Sequence, residues 1–273
     1  MIPAHIAVRK GARNTVSVPV DVLTLLNAGR IETVNLCEWL IVDQLALAQV
    51  VFPEIGCEIL LPALRARLAE LKITTAPKKL EAIGRLLAEN VSGKAEAKEL
   101  SAKLLALESD IARSWGAYAV GFADGLSLEE KLLLIRPFAA DPNMSTREIA
   151  WLALRGEVIA DLHGSLERLI HFTTDPDANI RRFASELTRP RGVWCRHIMA
   201  LREDPQPGFC LLEPLRADPS KYVRDSVGNW LNDASKNHPE MVSSLCFRWE
   251  KQSPCPETSM ILKRALRTIT KKP

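Results

Sequence analysis

The chain has 273 residues, 47% hydrophobic and 25% charged, a balance that excludes a disordered chain and allows one large domain or two small ones. Its net charge of +3 is small but uneven. Residues 181–273 hold 17 Lys or Arg against 10 Asp or Glu, and residues 1–180 hold 19 against 23. A basic C-terminal part marks either a place for a polyanion or a solvated surface, and charge alone leaves both open.

Met1 to Asn14 carries charges with no apolar run behind them, so no secretory signal is expected. Thr15 to Val20 is the one β-like stretch, too short to build a sheet alone. Trp39 to Phe52 is the most apolar segment, interrupted by Asp43, Gln44 and Gln49. It falls short of the roughly 20 apolar residues of a bilayer crossing, so no membrane contact is expected. From about residue 58 onward apolar residues recur at helical spacing: Leu60, Leu61, Leu64 and Leu68, then Ile83, Leu86 and Leu87, and finally Ile261, Leu262, Ala265, Leu266 and Ile269. The six cysteines are scattered and form no CxxC pair. Reduced thiols in a cytoplasmic protein account for them, and nothing completes a ligand set around Cys195 and His197, so no metal is expected.

An internal repeat organises the second half. ADPNMSTREIAWLAL, TDPDANIRRFASEL and ADPSKYVRDSVGNWLND share Asp-Pro, an Arg six residues after the Asp (Arg147, Arg181, Arg224) and then an apolar helix. The Asp residues, Asp141, Asp175 and Asp218, are 34 and 43 apart, the length of one helix pair. The spacing predicts an all-α protein, an α-solenoid of HEAT-like helix pairs, as a single repeat domain over 1–273. Within it, 1–110 is a less regular helical part and 111–273 holds the clearest repeats. Asp-Pro is expected to start each helix, the carboxylate capping and Pro in the first turn. The shared Arg is expected to tie neighbouring repeats together.

Counted from each repeat's Asp, Glu148 falls at offset seven, Glu186 at eleven and Asp233 at fifteen. Steps of four keep these acids on one face of the equivalent helix. Arg189, Arg191 and Lys236 fall at the far ends of those helices. Spacing thus predicts a groove with acids in its middle and cations on its edges. A single Glu on a helix is usually only solvated. Trp151, Trp194, Trp230 and Trp249 either fill the core or line a base-sized pocket, the first three being the pocket candidates.

The segment Arg181-Arg182-Phe183-Ala184-Ser185-Glu186-Leu187-Thr188-Arg189-Pro190-Arg191 resembles the RRxxSExTRPR segment of the AlkC-type DNA alkylation-repair glycosylases. Asp218 to Arg224 and Ser226 to Lys236 resemble the same family's DPSxYVRxSVxNxLNDxSK stretch, and Asp141 to Leu154 is a weaker match to the preceding helix. The resemblance covers roughly residues 110–270. It implies a glycosylase that excises cationic N3- or N7-alkylpurines from double-stranded DNA in a concave groove, without metal or organic cofactor. It places the catalytic carboxylates on Glu148, Glu186 and Asp233. Phosphate contacts are expected from Arg189, Arg191, Lys221 and Lys236, and from Lys263, Arg264 and Arg267. The expected protein is a cytoplasmic monomer, nucleoid-associated when bound to DNA. A catalytically silent DNA-binding repeat protein and a protein-interaction scaffold stay open as alternatives.

Overall fold

Helical spacing becomes helix throughout. The computed structural model describes residues 2–192 and 195–270, and among them it holds seventeen α-helices, five short 3-10 turns and no strand. The β-like segment closes instead as a 3-10 turn at Thr15–Ser17, where the Asn14 side chain accepts from the Ser17 amide. The apolar run after Trp39 is cut into two helices, Leu36–Ile41 and Gln44–Ile55. Asp43 stops the chain between them, its carboxylate accepting from the amides of Leu45 and Ala46. No helix among the described residues is long and apolar enough to cross a membrane.

Two compact units divide the chain, one running to Ala153 and the other starting at Leu154. In the first unit the helix Ala76–Glu89 lies along Asp110–Phe122, with Lys94–Leu105 and Leu128–Ala139 packed on the latter. The helices approach closely because small residues stand at the contacts. A Cβ on Gly84 would lie 2.3 Å from the Tyr118 Cβ, and one on Gly121 would lie 2.5 Å from the Ala153 carbonyl oxygen. Trp115 fills the centre, fully buried, edge-on to Phe52 at 6.0 Å. Its indole N–H is satisfied by Gln44 Oε1 at 2.8 Å.

In the second unit the helix Ala178–Leu187 packs on Lys221–Ser235, which in turn packs on Pro256–Ala265. The first contact is again made by small residues: the buried hydroxyls of Ser185 and Ser226 meet at 2.6 Å. Phe183, Trp230 and Trp249 form the core.

The repeat frame is present, but Asp-Pro does not start the helices. The helices begin at Met144, Ala178 and Lys221, so each Pro stands in the loop before the first turn. The Asp carboxylates instead close an Asx turn onto the amide two residues ahead, Asn143, Asp177 and Ser220, at 2.7, 2.9 and 2.8 Å. Each shared Arg then reaches back to its own loop. Arg147, Arg181 and Arg224 each donate through Nη1 to the carbonyls of their Asp and Pro, at 2.6–3.0 Å. Arg181 also grips Asp218 of the next repeat with Nε and Nη2, at 2.6 and 3.0 Å, which is the expected tie between repeats.

Arg113 makes the same set of bonds. Its Nη1 donates to the carbonyls of Leu107 and Glu108 at 2.8 and 3.0 Å, and its Nε and Nη2 grip Asp141 at 2.7 and 3.1 Å. A fourth copy of the frame therefore begins at Leu107, 34 residues before Asp141, with Leu-Glu in place of Asp-Pro.

Candidate active site

Glu186 stands one residue before the end of Ala178–Leu187, and Asp233 stands near the end of Lys221–Ser235. Because those two helices lie side by side, their acidic ends come together. Both side chains are buried, 3% and 4% exposed. Two carboxylates at that depth need cations. Arg189, just past the first helix, supplies one to both. Its Nη1 donates to Glu186 Oε2 at 3.2 Å, while Nε and Nη2 donate to Asp233 Oδ2 at 3.0 and 2.7 Å. Lys236 Nζ donates to Asp233 Oδ1 at 2.9 Å. Arg182, one turn before Glu186, pairs with its Oε1 at 3.4 Å and lies over the Tyr222 ring, 4.1 Å from the centroid. Burial works to lower the Arg189 pKa, but the charges of Glu186 and Asp233 and their hydrogen bonds outweigh it and hold the guanidinium above its ordinary value. Two carboxylates set among three cations make a cluster that is positive as a whole and locally negative at its centre.

Glu148 belongs to the first unit, where its Oε2 accepts from the indole N–H of Trp151 at 2.9 Å. Trp151 is largely buried beside it. Trp194 lies outside the described residues. Trp230 is no pocket aromatic: it is fully buried, its ring 5.8 Å from that of Phe209 and its N–H directed to Thr188 Oγ1 at 3.3 Å. Core packing takes up the whole indole.

The seven expected phosphate-binding cations differ in how far they are committed. Arg189 is spent on the carboxylates, and Lys236 tips onto Asp233 from a side chain that is 39% exposed. Lys221 and Arg264 both pair with Asp225, each at 2.6 Å. Arg191 donates to Asn237, and Arg267 donates to Asn232 at 2.8 Å. Lys263 is exposed and makes no hydrogen bond or ion pair among the described residues. Sequence reasoning missed Arg182 as a site residue, although its spacing of four from Glu186 is the signal for a helical ion pair. No group of three or more His, Cys, Asp or Glu that could hold a metal ion gathers among the described residues.

The fold is the HEAT-like α-solenoid of the alkylpurine DNA glycosylases. A solved structure of Pseudomonas fluorescens alkylpurine DNA glycosylase AlkC, bound to DNA containing an abasic site analog, superposes with a TM-score of 0.70 at 24% identity, covering 96% of this chain and 66% of that one. AlkD2 from Streptococcus mutans gives 0.58 at 21% identity over 76% of this chain and 95% of its own. The protein smu.31 from Streptococcus mutans UA159 gives 0.58 at 22% identity over 70% and 91%. In sequence, an uncharacterized protein of Bacillus subtilis (strain 168), YhaZ, is 37% identical over 144 residues, 53% of this chain. The matched part spans 38% of that relative's length. No family model matches the chain.

Proposed function

We propose that the protein is a DNA glycosylase that excises cationic N3- or N7-alkylpurines from double-stranded DNA. The observation that carries this reading is the buried Glu186–Arg189–Asp233 cluster, built on the helices of a solenoid fold shared with AlkC. The alkylated purine already bears a positive charge, so the bond from C1′ to the base nitrogen can break with its electron pair passing to the base, which leaves neutral. Positive charge then develops on the sugar, and carboxylates fixed before the reaction stabilise it. Water adds to C1′ and gives up a proton, leaving an abasic site. The step needs no metal and no organic cofactor, and the protein acts as a cytoplasmic monomer.

The two carboxylates are not equivalent. Both oxygens of Glu186 are taken by arginines, whereas among the described residues Asp233 Oδ1 faces only Lys236, the most exposed of the three cations. Asp233 is therefore the acid that turns to sugar or water with the smaller loss, and Glu186 acts as fixed negative charge behind it. Glu148 enters as a third carboxylate on the repeat frame and the family resemblance.

The test is base release from methylated duplex DNA by purified protein under single-turnover conditions. Release well above the spontaneous rate is expected, falling about 10²-fold in Glu186→Gln and in Asp233→Asn. Absence of release, or undiminished release by both variants, sinks the reading. Salt-dependent binding without release would leave a silent DNA-binding protein, and no binding at low salt would leave a scaffold.

A further inference from the structure

Arg155 sits on the Met144–Ala160 helix, within the second unit, and is 3% exposed. Its guanidinium spreads over three main-chain carbonyls. Nη1 donates to Leu187 O at 2.7 Å, Nη2 to Arg189 O, and Nε to Arg196 O at 3.1 Å. Among the described residues no carboxylate lies within ion-pair distance of it. An unpaired buried cation is costly, so its place calls for an account.

The carbonyls supply half of that account. Where Ala178–Leu187 ends, its last carbonyls lose their helical partners. The rigid fork of Arg reaches three diverging oxygens from three separate nitrogens, whereas Gln has too few donors and those of Lys radiate from a single atom. Two of the three flank Glu186 closely in sequence, and one belongs to Arg189 itself. The other half is charge. Burial pulls Arg155 below its ordinary pKa, with Cys195, Glu186 and Asp233 pulling the other way.

We propose that Arg155 is a positioning residue of the same site: it fixes the main chain from which Arg189 reaches Glu186 and Asp233. The consequence for catalysis rests on the glycosylase reading; the consequence for Arg189 does not.

The experiment uses the full chain as wild type, Arg155→Met and Arg155→Lys. Two readouts are taken: the Arg189 Nε–H resonance by NMR, and single-turnover base release. In Arg155→Met the Arg189 resonance is expected to move from its wild-type position. The maximal rate should fall about tenfold to a hundredfold with the half-saturating DNA concentration unchanged. Arg155→Lys should move the resonance less and restore part of the rate. A folded Arg155→Met with an unmoved Arg189 resonance overturns the proposal. Should Arg155→Met fail to fold, Arg155→Lys decides: a shifted Arg189 resonance supports the proposal, and an unshifted one overturns it. Should the wild type release no base, the glycosylase reading falls while the NMR arm still decides this one.

Discussion

Arg189 spans two carboxylates that lie 3 and 44 residues from it in sequence. Arg189→Ala would leave Glu186 and Asp233 buried side by side without their shared partner. The expected loss is about 3–5 kcal/mol of stability, read by denaturant unfolding at pH 7; a loss under about 1 kcal/mol would show that the pair tolerates its own repulsion. Asp110 carries a different prediction. It is fully buried, and burial raises its pKa above the ordinary 3.8, although Thr33 N, Thr33 Oγ1 and Ser145 Oγ donate to it. A carboxyl whose folded pKa is raised holds its proton more tightly in the folded state, so its contribution to stability is lost as pH rises through the folded pKa. In Asp110→Asn that loss is absent. The melting temperature of the variant minus that of wild type should therefore climb between pH 3.5 and pH 7, and a flat or falling difference refutes the sign. Glu186 and Asp233 were legible as partners because their repeat offsets differ by four, one helical turn. The role of Arg189 was not: it lies past a helix end, where periodicity carries no information. Trp230 was ambiguous for a different reason: it stands three residues from Asp233, on the same side of the helix, and spacing does not separate an aromatic that lines a site from one that fills the core beneath it.

At the scale of elements, the shared arginines are the device that holds one repeat to the next. Arg181 and Arg113 each bind two carbonyls of their own loop and the Asp of the following one. Arg224 repeats the loop contacts, but among the described residues its Nε finds no partner and its Nη2 meets only Met260 Sδ at 3.5 Å. The tie that is lost therefore depends on position. Arg181→Met should cost about 3–5 kcal/mol, since it strands the buried Asp218 carboxylate, whereas Arg224→Met should cost clearly less, in the range of its carbonyl bonds. Equal losses in chemical denaturation would contradict the ladder. Gly121 offers a second check on stacking. A Cβ there meets the Ala153 carbonyl, which cannot yield as a flexible side chain would, so Gly121→Ala is expected to lose about 1–3 kcal/mol through overpacking. Three copies of the frame were readable because Asp-Pro and Arg recur at fixed spacing. The copy at Leu107 was hidden because the carbonyls that Arg113 caps are main-chain atoms, and any residue supplies those. Only the Arg and the 34-residue interval survive there, and a single Arg is no pattern. The helix starts were misplaced by the same ambiguity: Asp before Pro serves a cap or an Asx turn equally well, and only the backbone decides.

For the molecule as a whole, the excess of cations in residues 181–273 bears on the proposed DNA binding through the side chains that are not already committed. Arg189 is bound to two carboxylates, and Arg267 is tied to Asn232; moving either onto a phosphate means breaking a contact inside the protein. Lys263 has no such tie among the described residues, and Lys221 holds Asp225 only from a side chain that is 75% exposed. Counterion release gives these differences a measurable form, because each phosphate neutralised contributes about 0.9 to the slope of log affinity against log salt on duplex DNA. Lys263→Ala and Lys221→Ala should each flatten that slope by about 0.9 and weaken binding to undamaged and damaged duplex alike. Arg189→Gln should leave the slope close to wild type while abolishing base release, since its charge is already balanced within the protein. The measurement is a salt titration of fluorescently labelled duplex by anisotropy, with base release followed in parallel. A slope that flattens by a full contact in Arg189→Gln would return Arg189 to the phosphate-binding set, and the carboxylate cluster would then have to be read as a resting arrangement that opens on DNA.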